Sequence, residues 1–185
     1  VLPQNKCPSE GGPSARDIVC LLKANKGAER NVPLFVEMLF FNYLVGATEA
    51  HAKNYSILLG REGRVALAPL YDVASGLAYD PPRGGWKLAM GIGQETSIGH
   101  VRRSNLVRFA RNCNLDADEC CTLMANLAER ISMRADSVFD AAQGISGCDE
   151  LRSRHRSCAA RIPPCSTSRA CACSARPTAQ GIRLC

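Results

Sequence analysis

The run LFVEMLFFNYLV at residues 34–45 constrains the fold more than any other part of the chain. It is apolar nearly all round, broken only by Glu37 and Asn42. It is too short to span a bilayer, for which about twenty apolar residues are needed. A helix that is apolar on every side must be enclosed, so the pattern predicts a central helix, opened by Pro33 and surrounded by other helices. Gly46 follows at once and lets the backbone leave sharply, which would present the polar loop GATEAHAKN at residues 46–54 on a rigid platform. The fold class expected is mainly α.

The flanking patterns supply the surrounding helices. Ser14 and Asp17 form a start signal before Ile18, Leu21 and Leu22, a short amphipathic stripe that ends at Lys26-Gly27. From Ser104 onward, Leu106, Val107, Phe109, Ala110 and Cys113 share one side of a helix, with Arg102, Arg103, Arg108 and Arg111 toward the other. Four arginines so close invite a nucleic-acid reading, but no stacking aromatics interleave them, so a solvated face is the expectation. Asp116 with Glu119 begins the last long helix, whose Cys120, Met124, Leu127, Ile131 and Val138 are expected in the core before Gly144 ends it.

Between these helical regions the period changes. Residues 55–59 and 64–68 are strand-prone runs separated by Gly60-Arg61-Glu62-Gly63, a hairpin signal. In an antiparallel hairpin the residue entering the first strand and the residue leaving the second lie at the same end, which would bring Asn54 and Asp72 together. Phosphoryl transfer needs a carboxylate to orient and deprotonate the attacking hydroxyl, with an amide and a second carboxylate holding magnesium on the phosphates. Glu49, Asn54 and Asp72 offer those groups in that order. Five residues separate Glu49 from Asn54, as acid and amide are separated in the protein-kinase loop H-R-D-x-x-x-x-N. The plainer alternative is that Asn54 and Asp72 cap local turns and Glu49 is a solvated acid. His51 has two readings, hydrogen bonding to phosphate or a structural role, and Lys53 either neutralises phosphate charge or is simply exposed. A metal-dependent hydrolase using Glu49, His51 and Asp72 would need more ligands than the sequence clusters. YDPPRGG at residues 79–85 reads as a loop that either gates this region or merely connects, and Trp86 opens a short strand, WKLAM.

The motifs GATEAHAKNYSILL and LAPLYD, with EGGPSARDIV at residues 10–19 and KLAMGIG at 87–93, resemble the C-terminal half of the HipA family of bacterial toxin kinases. The resemblance runs to about residue 150. It implies the helical C-terminal lobe of a kinase-like fold and a serine/threonine protein kinase of a type II toxin–antitoxin system, using ATP and Mg2+ and paired with a DNA-binding antitoxin. Position by position it places Glu49 at the catalytic aspartate, Asn54 and Asp72 at the metal, and His51, Ala52, Lys53, Asn54, Tyr71 and Asp72 at the nucleotide. Two departures stand out. The family reads GATDAHAKN, and the longer arm of Glu49 moves the carboxylate by roughly 1 Å, enough to cost about a hundredfold in rate. The family's nucleotide-anchoring Gly-rich loop and lysine have no counterpart ahead of Glu10, and neither G-x-x-x-x-G-K-[ST] nor G-x-G-x-x-G occurs in the chain. The expectation is a fragment with impaired transfer. The alternative is a noncatalytic, partner-binding remnant of a toxin.

Charge divides the chain at residue 150. Residues 151–185 hold seven arginines, no lysine and no acid, whereas the preceding 150 are nearly neutral. Five of the eleven cysteines also lie there, at Cys158, Cys165, Cys171, Cys173 and Cys185, in spacings that match no common zinc module. A basic arm binding nucleic acid nonspecifically needs no such cysteines, and the composition fits best with out-of-frame reading of GC-rich coding sequence. Residues 1–150 are therefore expected to form one kinase lobe and 151–185 a disordered tail. The opening VLPQNKCPSEGGP carries no secretory signal, and Cys7, Cys20, Cys113, Cys120, Cys121 and Cys148 mostly fall on apolar helical positions. A reducing, cytoplasmic protein is expected, with no membrane partner.

Overall fold

Ser14 and Asp17 close a reciprocal cap, as their spacing predicts. The Ser14 hydroxyl accepts from the Asp17 amide at 3.3 Å, and the Asp17 carboxylate accepts from the Ser14 amide at 2.9 Å. These bonds satisfy amides that have no partner within the helix. They start α1 (Ala15–Lys23), which buries Ala15, Ile18, Val19 and Leu22. Leu21, expected on the buried stripe, is 51% exposed, because the stripe at i, i+3, i+4 and i+7 passes through Val19 instead.

The computed structural model describes residues 7–146 and 148–159. The central helix α2 (Ala28–Leu44) begins earlier than expected, after Gly27 in a left-handed conformation, and holds Pro33 inside it. Proline there removes one amide from the hydrogen-bond ladder, yet burial of Phe35, Val36, Leu39, Phe40 and Leu44 around the helix outweighs that local cost. Phe35 meets Tyr55 edge-on at 5.0 Å and Phe40 meets Phe109 at 5.8 Å.

Two antiparallel hairpins follow. Strands β1 (Ile57–Leu59) and β2 (Val65–Leu67) pair Ile57 with Leu67 and Leu59 with Val65, which realises the expected hairpin. Buried Asn31 of α2 holds it in place: its Nδ2 donates to the Val65 carbonyl at 2.8 Å and its Oδ1 accepts from the Leu67 amide at 3.0 Å. The expected strand at Trp86 starts one residue later as β3 (Lys87–Ile92), paired with β4 (Glu95–Ser97). It buries Leu88, Met90 and Ile92.

Helix α3 (Arg103–Asn112) buries Leu106, Phe109 and Ala110 and leaves its arginines exposed. At its end Lys23 reaches across from α1 and donates to the carbonyls of Cys113 at 2.9 Å and Asn114 at 2.8 Å. Asp116 then caps α4 (Ala117–Ala141), accepting from the Glu119 amide at 2.8 Å. Cys120, Met124 and Leu127 enter the core as expected, but Ile131 is only partly buried and Val138 is 62% exposed. The core ends before the apolar stripe does.

Helix α5 (Cys148–Ala159) carries regular structure past the compositional boundary at residue 150. Asp149 and Glu150 in its first turn favour its start, and Arg152 ties it to α4 through Asp136 and Asp140, its guanidinium 5.5 Å from the centre of the Phe139 ring. Residues 160–185 of the expected tail, with Cys165, Cys171, Cys173 and Cys185, lie outside the described residues. Cys113, Cys120 and Cys121 are buried, whereas Cys20 is exposed. Burial pushes the Cys113 thiol up to about 11 and the Cys120 thiol up to about 12, which keeps both protonated at neutral pH. Among the described residues no helix is long and apolar enough to cross a membrane.

Candidate functional site

The loop after α2 is shaped by two glycines that admit close neighbours. Gly46 adopts φ +69°, and a Cβ there would lie 2.5 Å from Leu77 Cγ. Its carbonyl accepts from the Gly76 amide at 2.8 Å, while a Cβ on Gly76 would meet the Thr48 side chain at 2.7 Å. The segments around residues 46–48 and 76–77 therefore interlock. Beyond them the Thr48 carbonyl accepts from Ala89 of β3 at 3.1 Å. This fixes the backbone just ahead of Glu49.

Glu49 is exposed and borders two clefts. The larger, about 760 Å³, lies between α1 and β3 and is lined by Arg16, Thr48, Lys87 and Gly91 among others. The other, about 470 Å³, is walled by Tyr79, Asp80 and Arg83 of the loop anticipated as a gate. A carboxylate placed here can reach a hydroxyl entering from either side.

Asn54 and Asp72 come together at the base of the β1–β2 hairpin. The Asn54 side-chain amide donates to the Asp72 carboxylate at 3.4 Å and to the Glu49 carbonyl at 3.2 Å. Register explains the first contact, since the Ala68 amide donates to the Ser56 carbonyl at 2.9 Å and extends the ladder toward this pair. Asp72 adopts φ +54°, a left-handed conformation that aspartate tolerates better than most residues. The Tyr71 hydroxyl donates to the Lys53 carbonyl at 2.6 Å and lies 2.7 Å from the Ser56 hydroxyl. The Glu49 carbonyl accepts from the His51 amide at 2.7 Å, and the His51 carbonyl accepts from the Asn54 amide at 3.0 Å. Residues 49–54 are thus held as a short self-bonded turn, with Ala52 buried within it. The His51 ring is half-buried, and its buried Nδ1 has no hydrogen-bond partner among the described residues.

The donor chemistry fits magnesium. An amide oxygen at Asn54 and a carboxylate at Asp72 are hard ligands, and Mg2+ commonly takes one or two protein oxygens with phosphate and water completing its shell. No cluster of three or more His, Cys, Asp or Glu side chains suited to a metal exists among the described residues, so the hydrolase arrangement through Glu49, His51 and Asp72 finds no support. Neither cleft beside Glu49 is lined by Asn54 or Asp72. The Asn54 side-chain amide, which donates to both the Glu49 carbonyl and the Asp72 carboxylate, joins the metal-suited pair to the turn at 49–54. Asn31, Thr48, Gly76 and Leu77, which hold these parts, escaped the sequence reading. Their roles depend on contacts between distant segments, and only the glycine at position 76 offered a local signal.

A family model described as the HipA-like C-terminal domain matches residues 2–135. The chain is 34% identical over 141 residues to the protein named "Putative kinase Y4mE" from Sinorhizobium fredii (strain NBRC 101917 / NGR234), covering 76% of this chain and 33% of that protein. A solved chain from the Shewanella oneidensis MR-1 toxin–antitoxin complex of HipA, HipB and operator DNA superposes with a TM-score of 0.71 at 21% identity. That match covers 86% of this chain and 41% of the solved one, and it establishes likeness of fold. The chain spans about a third of the length of the curated relative.

Proposed function

The chain belongs to the family of HipA-like C-terminal domains, and from that premise we propose that it is the C-terminal lobe of a serine/threonine protein kinase of a bacterial type II toxin–antitoxin system. The observation that carries this reading is the meeting of Asn54 and Asp72 at the hairpin base, tied through one amide to the backbone of Glu49. It brings an amide and a carboxylate together beside the turn that carries Glu49, the groups that phosphoryl transfer requires.

In this reading Glu49 orients the acceptor hydroxyl and takes its proton as that oxygen bonds to the γ-phosphorus of ATP and the bond to the ADP oxygen breaks. Asn54 and Asp72 would hold Mg2+, which would neutralise charge on the phosphates. Lys53 adds a cation beside them, His51 and the backbone at Ala52 offer hydrogen bonds, and Tyr71 contacts the nucleotide. Transfer is mostly positioning and electrostatics, so the longer arm of Glu49 lowers the rate, and the 185-residue chain without a phosphate-gripping loop transfers poorly by itself. A DNA-binding antitoxin is the proposed partner and the cytoplasm the proposed location.

Magnesium-dependent binding of a fluorescent ATP analogue tests the reading. Asp72→Ala should abolish it, and Glu49→Asp should leave it nearly unchanged, because Glu49 is not one of the two residues assigned to the metal. Equal binding by wild type and Asp72→Ala would overturn the assignment.

A further inference from the structure

The apolar stripe of α4 continues past the core and meets a second stripe on α2. Leu127, Ile131 and Val138 on α4 face Leu34, Met38 and Phe41 on α2 across a groove of about 670 Å³. Each set recurs at helical spacing; Leu127 and Met38 form the buried floor, Leu34, Phe41 and Ile131 are partly buried above it, and Val138 on the α4 wall is 62% exposed. Water against such a surface is unfavourable, and exposed apolar patches of this kind mark interaction sites. The rim is cationic. Arg130 is paired with Glu37 at 3.4 Å, while exposed Arg134 makes no ion pair among the described residues.

We propose that this groove docks an amphipathic helix of a separate protein, apolar along the face it inserts and acidic along the border that meets Arg134. An interhelical groove with apolar ridges accepts a helix through anchors at i, i+3, i+4 and i+7. The charge at the rim selects among occupants. A second copy of this chain docking groove to groove would bring two Arg134 side chains toward one another. Residues 160–185 contain four arginines and no acid, so they are repelled in the same way. An acidic partner helix gains where both of those lose.

The test titrates the full chain against two labelled synthetic helical peptides with the same leucine stripe, one bordered by glutamates and one by lysines, read by fluorescence anisotropy. The glutamate peptide should bind about tenfold tighter, as complementary rim charge discriminates between partners. Arg134→Glu should reverse that preference. Val138→Asp, at an exposed position that leaves folding intact, should weaken both peptides. Indifference to border charge, or unaltered binding by Val138→Asp, would overturn the proposal. So would dimerisation of the chain that Val138→Asp abolishes, or displacement of the glutamate peptide by a peptide of residues 160–185, since each would assign the groove to a different occupant.

Discussion

The two hairpins serve the same loop by opposite means. Hairpin β3–β4 is anchored by burial: Leu88, Met90 and Ile92 point into the core, and the Ala89 amide from the same strand holds the backbone beside Glu49. Hairpin β1–β2 is anchored largely by polar contacts: Asn31 holds Val65 and Leu67 of β2, and Lys26 Nζ donates to the Glu62 carbonyl in the turn at 3.2 Å. Leu58 and Leu59 are 55% and 84% exposed, while Tyr55 and the Ser56–Ala68 bond hold the base where Asn54 meets Asp72. Position of the acid thus depends on the hydrophobic core, and position of the metal-suited pair on a few buried hydrogen bonds. The two halves of the site should fail separately.

The largest effect expected is at Ile92, which is fully buried. Ile92→Ala should cost about 3 kcal/mol in urea unfolding, through lost burial and the cavity left behind. Asn31→Leu comes next, because it strands the Val65 carbonyl and the Leu67 amide; a loss of about 2 kcal/mol is expected, with weaker magnesium-dependent nucleotide binding. If Asn31→Leu left that binding intact, the hairpin base would not be what positions Asp72.

Tyr55 gives the same base a pH signature. Burial raises its phenol to about 12 from an ordinary value of 10.0, with the Asn42 amide donating to it at 2.8 Å. The folded state therefore favours the neutral phenol, and this contribution is fully present below pH 10 and lost as pH rises through 12. Unfolding measured across that window should steepen in the wild type and flatten in Tyr55→Phe. Leu59→Ser, at the hairpin tip, should change stability by no more than about 0.5 kcal/mol. A larger loss would mean the tip is covered.

Local signals explain what the sequence made legible. The caps at Ser14–Asp17 and Asp116–Glu119 involve residues three apart, and the hairpin that joins Asn54 to Asp72 follows from one turn and two short runs. Tertiary relations explain the rest. Periodicity assigned Val138 to the core because a stripe that is covered and a stripe that is left open have the same spacing. Pro33 signalled a helix start, but packing along α2 carried the helix back to Ala28. Asn31 looked like an ordinary polar residue ahead of an apolar run, and nothing nearby in sequence pointed to its partners at Val65 and Leu67. The boundary at residue 150 reflected charge, whereas α5 runs across it on contacts with α4.

The reach of Lys23 to the carbonyls of Cys113 and Asn114 joins positions ninety residues apart. During synthesis α1 leaves the ribosome well before α3 exists. Closing so long a segment carries its entropic cost before these contacts repay it. The β1–β2 pairs, by contrast, join residues six to ten apart, so that hairpin carries a smaller closure cost.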